Sequence, residues 1–257
     1  MLADMFLGHR RVYSSVQWLS QVILAVLIAG QDECPRRCDC RPPEVYCARA
    51  KLVTFPAGLQ TGTTFLDVGH NNITAIHDDT FQDLGILELV VLVADNNSIT
   101  SVGEHAFRGL SDLQFLHLSG NRLTNLHSQV FSHNPKIRHV DLTGNALHMP
   151  SDGPLLAANS LEWLDLDYCG LTIIPSSAFA KMPKLRYLNL NNNSLRVINV
   201  TALRPLSYLR YLKMLSNPLQ CDCSMKPVWT WLFQRKTKVE ASCGSQMSWS
   251  VMKEVTC

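Results

Sequence analysis

Cysteines are the residues of this chain whose type and spacing could do chemistry. The chain has 257 residues, nine of them cysteines. Eight form two clusters near the ends of the chain: Cys34, Cys38, Cys40 and Cys47, and then Cys221, Cys223, Cys243 and Cys257. Such clusters could hold zinc through thiolate ligands, or pair as disulfides in an oxidising compartment. Four cysteines at each end, with only Cys169 between them, favour disulfides, so we predict no metal site.

Sequence motifs for catalysis are missing. There is no Gly-x-Ser-x-Gly elbow, no glycine-rich phosphate loop and no His-Glu-x-x-His zinc motif in the sequence. We therefore predict that the protein is not an enzyme, has no catalytic residues and needs no cofactor.

Composition limits the remaining classes of protein. Hydrophobic residues make up 46% of the chain, charged residues 17%, and the formal net charge is +2. This apolar content can bury a core or an elongated repeat array, and it excludes disorder. The small net charge does not indicate a nucleic-acid-binding protein.

Residues 1–30 have the layout of a secretory signal peptide. A basic stretch at residues 9–11 precedes an apolar run from Val22 to Ala29, and cleavage is expected near Gly30. The alternative, a membrane anchor, needs about twenty apolar residues, but the polar residues at positions 17, 20 and 21 interrupt the apolar segment just before this run and leave it too short. No later segment is long enough to span a bilayer. We expect a secreted, extracellular protein, which is membrane-anchored only if the chain is a fragment.

An apolar pattern recurs every 24 residues. One copy places Leu113, Leu116, Leu118, Asn121 and Leu123 in the frame Leu-x-x-Leu-x-Leu-x-x-Asn-x-Leu. Seven copies occupy residues 63–219, with a two-residue insertion near Leu87. Each coil can bury its inward-pointing leucines only against its neighbours, so the coils must stack. Short irregular turns or 3-10 segments are expected on the convex side.

The ninth position of the frame predicts a structural ladder. The chain turns inward there, and buried backbone carbonyls need donors that an amide side chain supplies. The ladder consists of Asn71, Asn97, Asn121, Asn145, Cys169, Asn193 and Asn217. Cys169 is therefore predicted to be a buried free thiol rather than part of an intermolecular disulfide.

The two cysteine clusters and the repeats carry a family resemblance. The front cluster contains Cys34-Pro-Arg-Arg-Cys38-Asp-Cys40, and the rear one contains Asn217-Pro-Leu-Gln-Cys221-Asp-Cys223 followed by Trp231-Leu232. The chain resembles the extracellular leucine-rich repeat proteins with cysteine-rich caps, a family that includes Slit, chondroadherin, decorin-type proteoglycans and Toll-like ectodomains.

The resemblance implies a fold and a domain organisation. The fold is a leucine-rich repeat solenoid, a curved horseshoe with a parallel β-sheet on its concave face and disulfide-bonded caps. The front cap occupies residues 31–62, the seven repeats residues 63–219 and the rear cap residues 217–257. The implied disulfides are Cys34–Cys40, Cys38–Cys47, Cys221–Cys243 and Cys223–Cys257, although the sequence alone leaves the pairing open.

Outward strand positions predict two columns on the concave face. The first column is Phe65, Val91, Phe115, His139, Trp163, Tyr187 and Tyr211, and the second is Asp67, Val93, His117, Asp141, Asp165, Asn189 and Lys213. Aromatic residues of this kind are enriched at binding hot spots. We predict a binding face formed by the column aromatics, His139, Asp141 and Asp165; the alternative is that the rings only cover neighbouring strands. His117 and His139 could flank a metal, but two surface imidazoles are the simpler interpretation.

Charge is separated along the chain. Between Leu52 and Phe107 there are seven acidic residues and no Lys or Arg, whereas between Lys181 and Lys238 eleven basic residues face one acidic residue. Such a field can steer a partner. Arg186, Arg210 and Lys213 are predicted to form an anionic-ligand patch for a sulfated glycosaminoglycan or an acidic protein; the alternative is a solvated basic flank.

Four sequons, at Asn72, Asn96, Asn192 and Asn199, are candidate glycosylation sites in an exported protein. Asn96 and Asn192 lie beside the ladder, so glycans there would favour binding at the open centre of the face, around His139 and Trp163.

These expectations define two functions. The first is a secreted or cell-surface protein-binding module that recognises a protein ligand or receptor through its concave face, with adhesion or signalling implied by the resemblance. The alternative is a structural component of the extracellular matrix that binds acidic glycans through its basic C-terminal half. Nucleic acid is not an expected partner.

Overall fold

The computed structural model of the chain describes residues 34–243, 247–253 and 255–257. The predicted signal peptide and its cleavage site lie outside the described residues.

One long β-sheet runs through the described part of the chain. Its strands are β1 (Asp39–Arg41), β2 (Glu44–Tyr46), β3 (Phe65–Asp67), β5 (Val91–Val93), β7 (Phe115–His117), β8 (His139–Asp141), β9 (Trp163–Asp165), β10 (Tyr187–Asn189), β11 (Tyr211–Met214), β12 (Lys238–Cys243) and β13 (Met247–Ser248). They lie side by side in chain order, parallel from β2 to β12 and antiparallel at both ends. A second, two-stranded parallel sheet pairs β4 (Ala75–Ile76) with β6 (Ser101–Val102). The predicted parallel-sheet solenoid is confirmed.

The return half of each coil is mostly turns, with two helices of one turn each. These are α1 (Thr80–Asp83) and α2 (Val200–Leu203). The region after the repeats contains α3 (Lys226–Gln234) and a 3-10 helix (Trp249–Lys253). Short α-helices thus occur where turns or 3-10 segments were expected. Among the described residues, no helix combines the length and apolar character needed to cross a membrane.

The core is built from residues that repeat from coil to coil. In every three-residue repeat strand the middle side chain is buried while its two neighbours are partly exposed, as with Leu116 in β7 and Leu164 in β9. On the return half, the rings of Phe81 and Phe107 stack at 6.0 Å, and those of Phe107 and Phe131 at 5.7 Å. Because each layer contacts only the next, burial of apolar area accumulates along the array.

Asparagine side chains join successive coils at the inward turn. Asn145 donates to the carbonyl oxygens of Leu118 at 3.0 Å and Leu142 at 2.9 Å, and its Oδ1 accepts from the Leu123 amide at 2.9 Å. Asn71, Asn97, Asn121, Asn193 and Asn217 make equivalent bonds. Each asparagine therefore satisfies backbone groups of its own coil and of the coil before it.

Cys169 occupies the ladder position of its coil as a buried free thiol. Its Sγ lies 3.3 Å from the Leu142 carbonyl oxygen. An asparagine at this position would accept a hydrogen bond from the Leu147 amide, as Asn145 accepts one from Leu123. A thiol is only a weak acceptor, and the Leu147 amide donates to the Asn145 carbonyl oxygen at 3.0 Å instead. Burial raises the pKa of the Cys169 thiol to about 12.

A buried asparagine outside the ladder was not expected from the sequence. Asn134 lies on the return half, and its Nδ2 donates to the carbonyl oxygens of Phe107 at 2.9 Å and Leu110 at 2.8 Å. It thereby links its own coil to the preceding one on the convex side, just as the ladder asparagines link coils at the inward turn after each strand.

Disulfides close both ends of the sheet. The pairs are Cys34–Cys40, Cys38–Cys47, Cys221–Cys243 and Cys223–Cys257, the same pairs that the resemblance implies. The end coils of a solenoid have an uncovered apolar edge, and small units with little core of their own gain stability from such crosslinks.

Replacing Asn145 with alanine removes three buried hydrogen bonds and leaves their backbone partners unsatisfied. We expect the free energy of unfolding to fall by roughly 2 to 4 kcal/mol, measured by urea denaturation. Asn125→Ala, at an exposed position, is the control and should change it by less than about 0.5 kcal/mol. Equal effects of the two substitutions would contradict a structural ladder.

The raised pKa of Cys169 predicts low reactivity, because only the thiolate attacks alkylating agents. Iodoacetamide at pH 8 should leave the native protein unmodified and label one site after unfolding in urea without reductant, as measured by mass spectrometry. Labelling of the native protein at the rate of a small free thiol would show that the side chain is accessible.

Candidate functional site

Parallel pairing aligns the outward strand residues into continuous columns. The first column places Phe65, Val91, Phe115, His139, Trp163, Tyr187 and Tyr211 in register on adjacent strands. The second aligns Asp67, Val93, His117, Asp141, Asp165, Asn189 and Lys213 in the same way. Glu44 and Lys238 extend the first column, and Tyr46 and Glu240 extend the second. All eight residues of the predicted binding face lie in these two columns.

The aromatic side chains of the first column contact one another from coil to coil. Ring centroids are 6.2 Å apart for Phe115 and His139, 5.5 Å for His139 and Trp163, 3.5 Å for Trp163 and Tyr187, and 6.3 Å for Tyr187 and Tyr211. Phe115, Trp163 and Tyr211 nevertheless remain 37%, 39% and 45% exposed. The rings therefore both cover the neighbouring strands and present a contiguous aromatic surface.

A polar network fixes the orientation of Trp163. Its indole Nε1 donates to Oδ2 of Asp165, whose Oδ1 accepts from Asn189 Nδ2 at 3.0 Å. His139 Nε2 lies 3.5 Å from the same Oδ2. Burial by itself would raise the pKa of the Asp165 carboxyl, but the interactions with His139, Asn189 and Trp163 outweigh it and the pKa is lowered. The carboxylate therefore stays charged and holds the ring in one orientation.

The two column histidines lie together without a metal-binding set. The rings of His117 and His139 are 5.2 Å apart. Burial first, and then the neighbouring His139, lower the pKa of His117, which favours its neutral form at pH 7. The described residues contain no group of three potential metal ligands.

The predicted anionic-ligand patch is partly neutralised. Arg186 pairs with Glu162 at 3.3 Å, and Lys213 pairs with Glu240 at 3.5 Å. Tyr187, and to a smaller extent Glu240, raise the pKa of Lys213, whose Nζ lies 5.6 Å from the Tyr187 ring centroid. Arg210 forms no ion pair within the described residues. Arg186 and Arg210 precede their strands by one residue, so only Lys213 lies in a column.

The side chains of the four sequon asparagines differ in their exposure and in their hydrogen bonds. Asn72 is exposed. Asn192 donates through Nδ2, the atom that would carry a glycan, to Asp167 Oδ1 at 3.0 Å, and Asn96 donates to Asp95. Asn199 caps α2, accepting from the Thr201 amide at 2.9 Å. Glycosylation of these sites stays a prediction.

Sequence reasoning missed a third outward position, the seventh of each repeat frame. It holds Asp95 in one coil and Asp167 in another. These carboxylates add to Asp67, Asp141 and Asp165, and within the described residues no Lys or Arg forms an ion pair with any of the five. The repeat frame itself was the signal that could have placed them on this face.

The chain is similar to leucine-rich repeat proteins in sequence. A family model described as "Leucine rich repeat" matches residues 88–147 and 159–219. Leucine-rich repeat-containing protein 3B of Mus musculus is 33% identical over 135 residues, covering 51% of each chain. The Homo sapiens protein of that name is 34% identical over 117 residues, covering 44% of each chain. The present chain thus matches about half the length of these curated relatives.

Further similarities are more local or concern the fold. Leucine-rich repeat and immunoglobulin-like domain-containing nogo receptor-interacting protein 1 of Xenopus tropicalis is 35% identical over 85 residues, which are 32% of this chain and 14% of that protein. The crystal structure of human 5T4 (Wnt-activated inhibitory factor 1, trophoblast glycoprotein) aligns with a TM-score of 0.62 at 23% identity, over 89% of this chain and 100% of that one. A chain from an octameric complex of Latrophilin 3, Unc5D and FLRT2 (LRR) aligns with a TM-score of 0.58 at 24% identity, over 84% and 96%.

The repeat frame, the parallel-sheet solenoid and the matched family model all indicate leucine-rich repeats. Disulfide-bonded cysteines lie at both ends of the array, consistent with caps. Residues 88–147 and 159–219 are leucine-rich repeats of this family, and the chain folds as a leucine-rich repeat solenoid.

Proposed function

We propose that this chain is a protein-binding module that recognises a protein ligand or receptor through its concave face. The observation that carries the proposal is the contiguous, exposed aromatic surface formed by Phe115, Trp163 and Tyr211 with the rings between them. Large aromatic side chains supply much of the binding energy at protein interfaces.

The rigidity of this surface supports binding. Trp163 is stacked on Tyr187 with an interplanar angle of 13° and is hydrogen-bonded to Asp165. A side chain that is already immobilised loses little conformational entropy when a partner docks. The aromatic column is therefore preorganised for contact.

The relatives support a binding role by analogy. The name of the Xenopus tropicalis relative describes an interaction with a receptor. The leucine-rich repeat part of FLRT2 is a component of an octameric complex with Latrophilin 3 and Unc5D. Adhesion or signalling at the cell surface is the corresponding role that we propose here.

We also propose that the protein is exported. Four disulfides are a stable arrangement outside the cytosol. Secretion, or display at the cell surface, agrees with the signal layout of residues 1–30.

A second candidate is a matrix component that binds sulfated glycans. The excess of basic residues between Lys181 and Lys238 favours it. The ion pairs of Arg186 and Lys213 weigh against it, because an anionic glycan would have to compete with Glu162 and Glu240. We therefore rank protein recognition first.

Replacement of Phe115, Trp163 and Tyr211 together with alanine should abolish binding to cells. The measurement is flow cytometry of a panel of cell lines stained with the fluorescent, tetramerised protein, and we expect a loss of at least about tenfold in staining. Trypsin treatment of the cells should remove the staining, whereas heparinase treatment should not.

The matched control replaces three large hydrophobic side chains outside the columns that are more exposed than those of the test variant. Val53, Ile173 and Tyr208 are 65%, 65% and 56% exposed, and their triple alanine variant should stain like the wild type. Equal loss in both variants, or sensitivity to heparinase alone, would reject protein recognition by the concave face.

A further inference from the structure

A cleft borders the middle of the aromatic column, at the edge of the sheet where the chain enters the strands. Its volume is about 220 Å³, and residues that precede or begin four adjacent coils, from β7 to β10, line it: Gln114, Pro135, Lys136, Arg138, Ser160, Glu162 and Lys184. Arg138 directly precedes His139, and Glu162 directly precedes Trp163. This entry-edge cleft is therefore continuous with the proposed binding face.

Positive charge dominates the entry-edge cleft. Lys136, Arg138 and Lys184 bring three cations to it, against the single carboxylate of Glu162. That carboxylate pairs at 3.3 Å with Arg186, which lies outside the lining. Its charge is thus already compensated, and the cleft keeps an excess of positive charge.

Two of the three cations have no partner within the described residues. Lys136 forms an ion pair with Asp112 of the preceding coil. The side chains of Arg138 and Lys184 are exposed and make neither a hydrogen bond nor an ion pair in the described part of the chain. They differ in this from the two paired residues of the predicted anionic-ligand patch, because an anion that binds them displaces only water.

A small residue keeps the cleft open between its lysines. Ser160 holds the position in its coil that Lys136 holds one coil earlier and Lys184 one coil later. Its Oγ donates to the Ile137 carbonyl oxygen at 2.8 Å, so the side chain is engaged by the backbone. Adjacent coils are about 4.8 Å apart, so the two lysines start from backbones about 10 Å apart with only a serine between them.

We infer that the entry-edge cleft receives a carboxylate side chain from an acidic segment of the protein ligand. The carboxylate accepts hydrogen bonds from the guanidinium of Arg138 and the ammonium of Lys184, and bonds between two charged groups are stronger than neutral ones. Neighbouring residues of the segment then contact His139 and Trp163 on the column. This inference rests on the proposed function and names the chemistry of the partner.

The charges around the cleft argue against other occupants. The negative charges of a sulfated glycan repeat along an extended chain, whereas at this edge Asp112 and Glu162 alternate with the basic residues. A metal ion would meet an excess of positive charge. A single carboxylate needs only the two free cations.

The test measures binding of a fluorescent hexa-glutamate peptide by anisotropy at about 0.15 M salt, where longer-range attraction is screened. The wild type should bind it, and R138Q/K184Q, which removes both free cations, should bind at least about tenfold more weakly. S160E should weaken binding similarly, because it places a carboxylate of the chain itself in the cleft. The equivalent positions of the neighbouring coils hold lysine, so the backbone accepts a long side chain there.

The matched control, K181Q/R196Q, also removes one lysine and one arginine that are exposed and lie outside the columns and the cleft. It should change the affinity by less than about twofold. Equal weakening by the control would show a non-specific field, and unchanged binding to R138Q/K184Q would show that the cleft is unused. Urea denaturation should give the wild-type midpoint for both double variants, so that their comparison does not depend on folding.

Two further outcomes would overturn the inference. The first is absence of hexa-glutamate binding to the wild type. The second concerns a heparin octasaccharide: if its binding falls in R138Q/K184Q while hexa-glutamate does not bind, the cleft is a glycan site.

The two proposals can fail separately. If cell staining depends on Phe115, Trp163 and Tyr211 but hexa-glutamate does not bind, protein recognition stands and the carboxylate site is wrong. If hexa-glutamate binds through the cleft but no cell line is stained, the cleft stands and recognition at the cell surface is wrong.

Discussion

The inward turn of each coil buries backbone groups that water cannot reach, and the structure depends on satisfying them. The ladder asparagines do so with one side chain per coil: Nδ2 donates to carbonyl oxygens of two coils, and Oδ1 accepts an amide of the preceding coil. Since an unsatisfied buried amide or carbonyl costs about 1 to 3 kcal/mol, any shift in register between coils would be expensive. Burial of the leucines holds the layers together, but it is not directional; the hydrogen bonds of the ladder specify how each layer sits on the next.

The fixed register between coils determines which residues of successive repeats lie side by side on the concave face. Residues one repeat apart become neighbours on adjacent strands, so the concave face is a two-dimensional arrangement of sequence columns. Aromatic rings in one column stack on each other and become rigid, with Trp163 further held by Asp165. Carboxylates lie beside them, and the basic residues of the chain cover the rings at both ends of the array. Binding chemistry on this face therefore depends on the same constraint as the fold.

Much of this could be predicted from residue spacing alone, because a constant period determines which residues are neighbours. The ladder positions and both columns follow directly, and the two-residue insertion near Leu87 appears as an offset of 26 between Phe65 and its partner Val91.

The directions in which side chains point could not be predicted from residue spacing. Glu162 and Glu240 lie outside the basic segment in sequence but pair with Arg186 and Lys213 across coils. Asn134 replaces an apolar residue of the return half, and only the structure shows the carbonyl groups it joins. The way in which Arg138 and Lys184 line one cleft likewise depends on rotamers.

The central claim is that the ladder fixes a register in which the aromatic side chains form one column with a break at Val91. Nuclear Overhauser spectroscopy of the aromatic protons, in a protein deuterated elsewhere, measures this directly. The account predicts cross-peaks between Phe115 and His139, His139 and Trp163, Trp163 and Tyr187, and Tyr187 and Tyr211, and none between Phe65 and Phe115. A missing Trp163–Tyr187 cross-peak, or a direct one between Phe65 and Phe115, would contradict the register and the surface built on it.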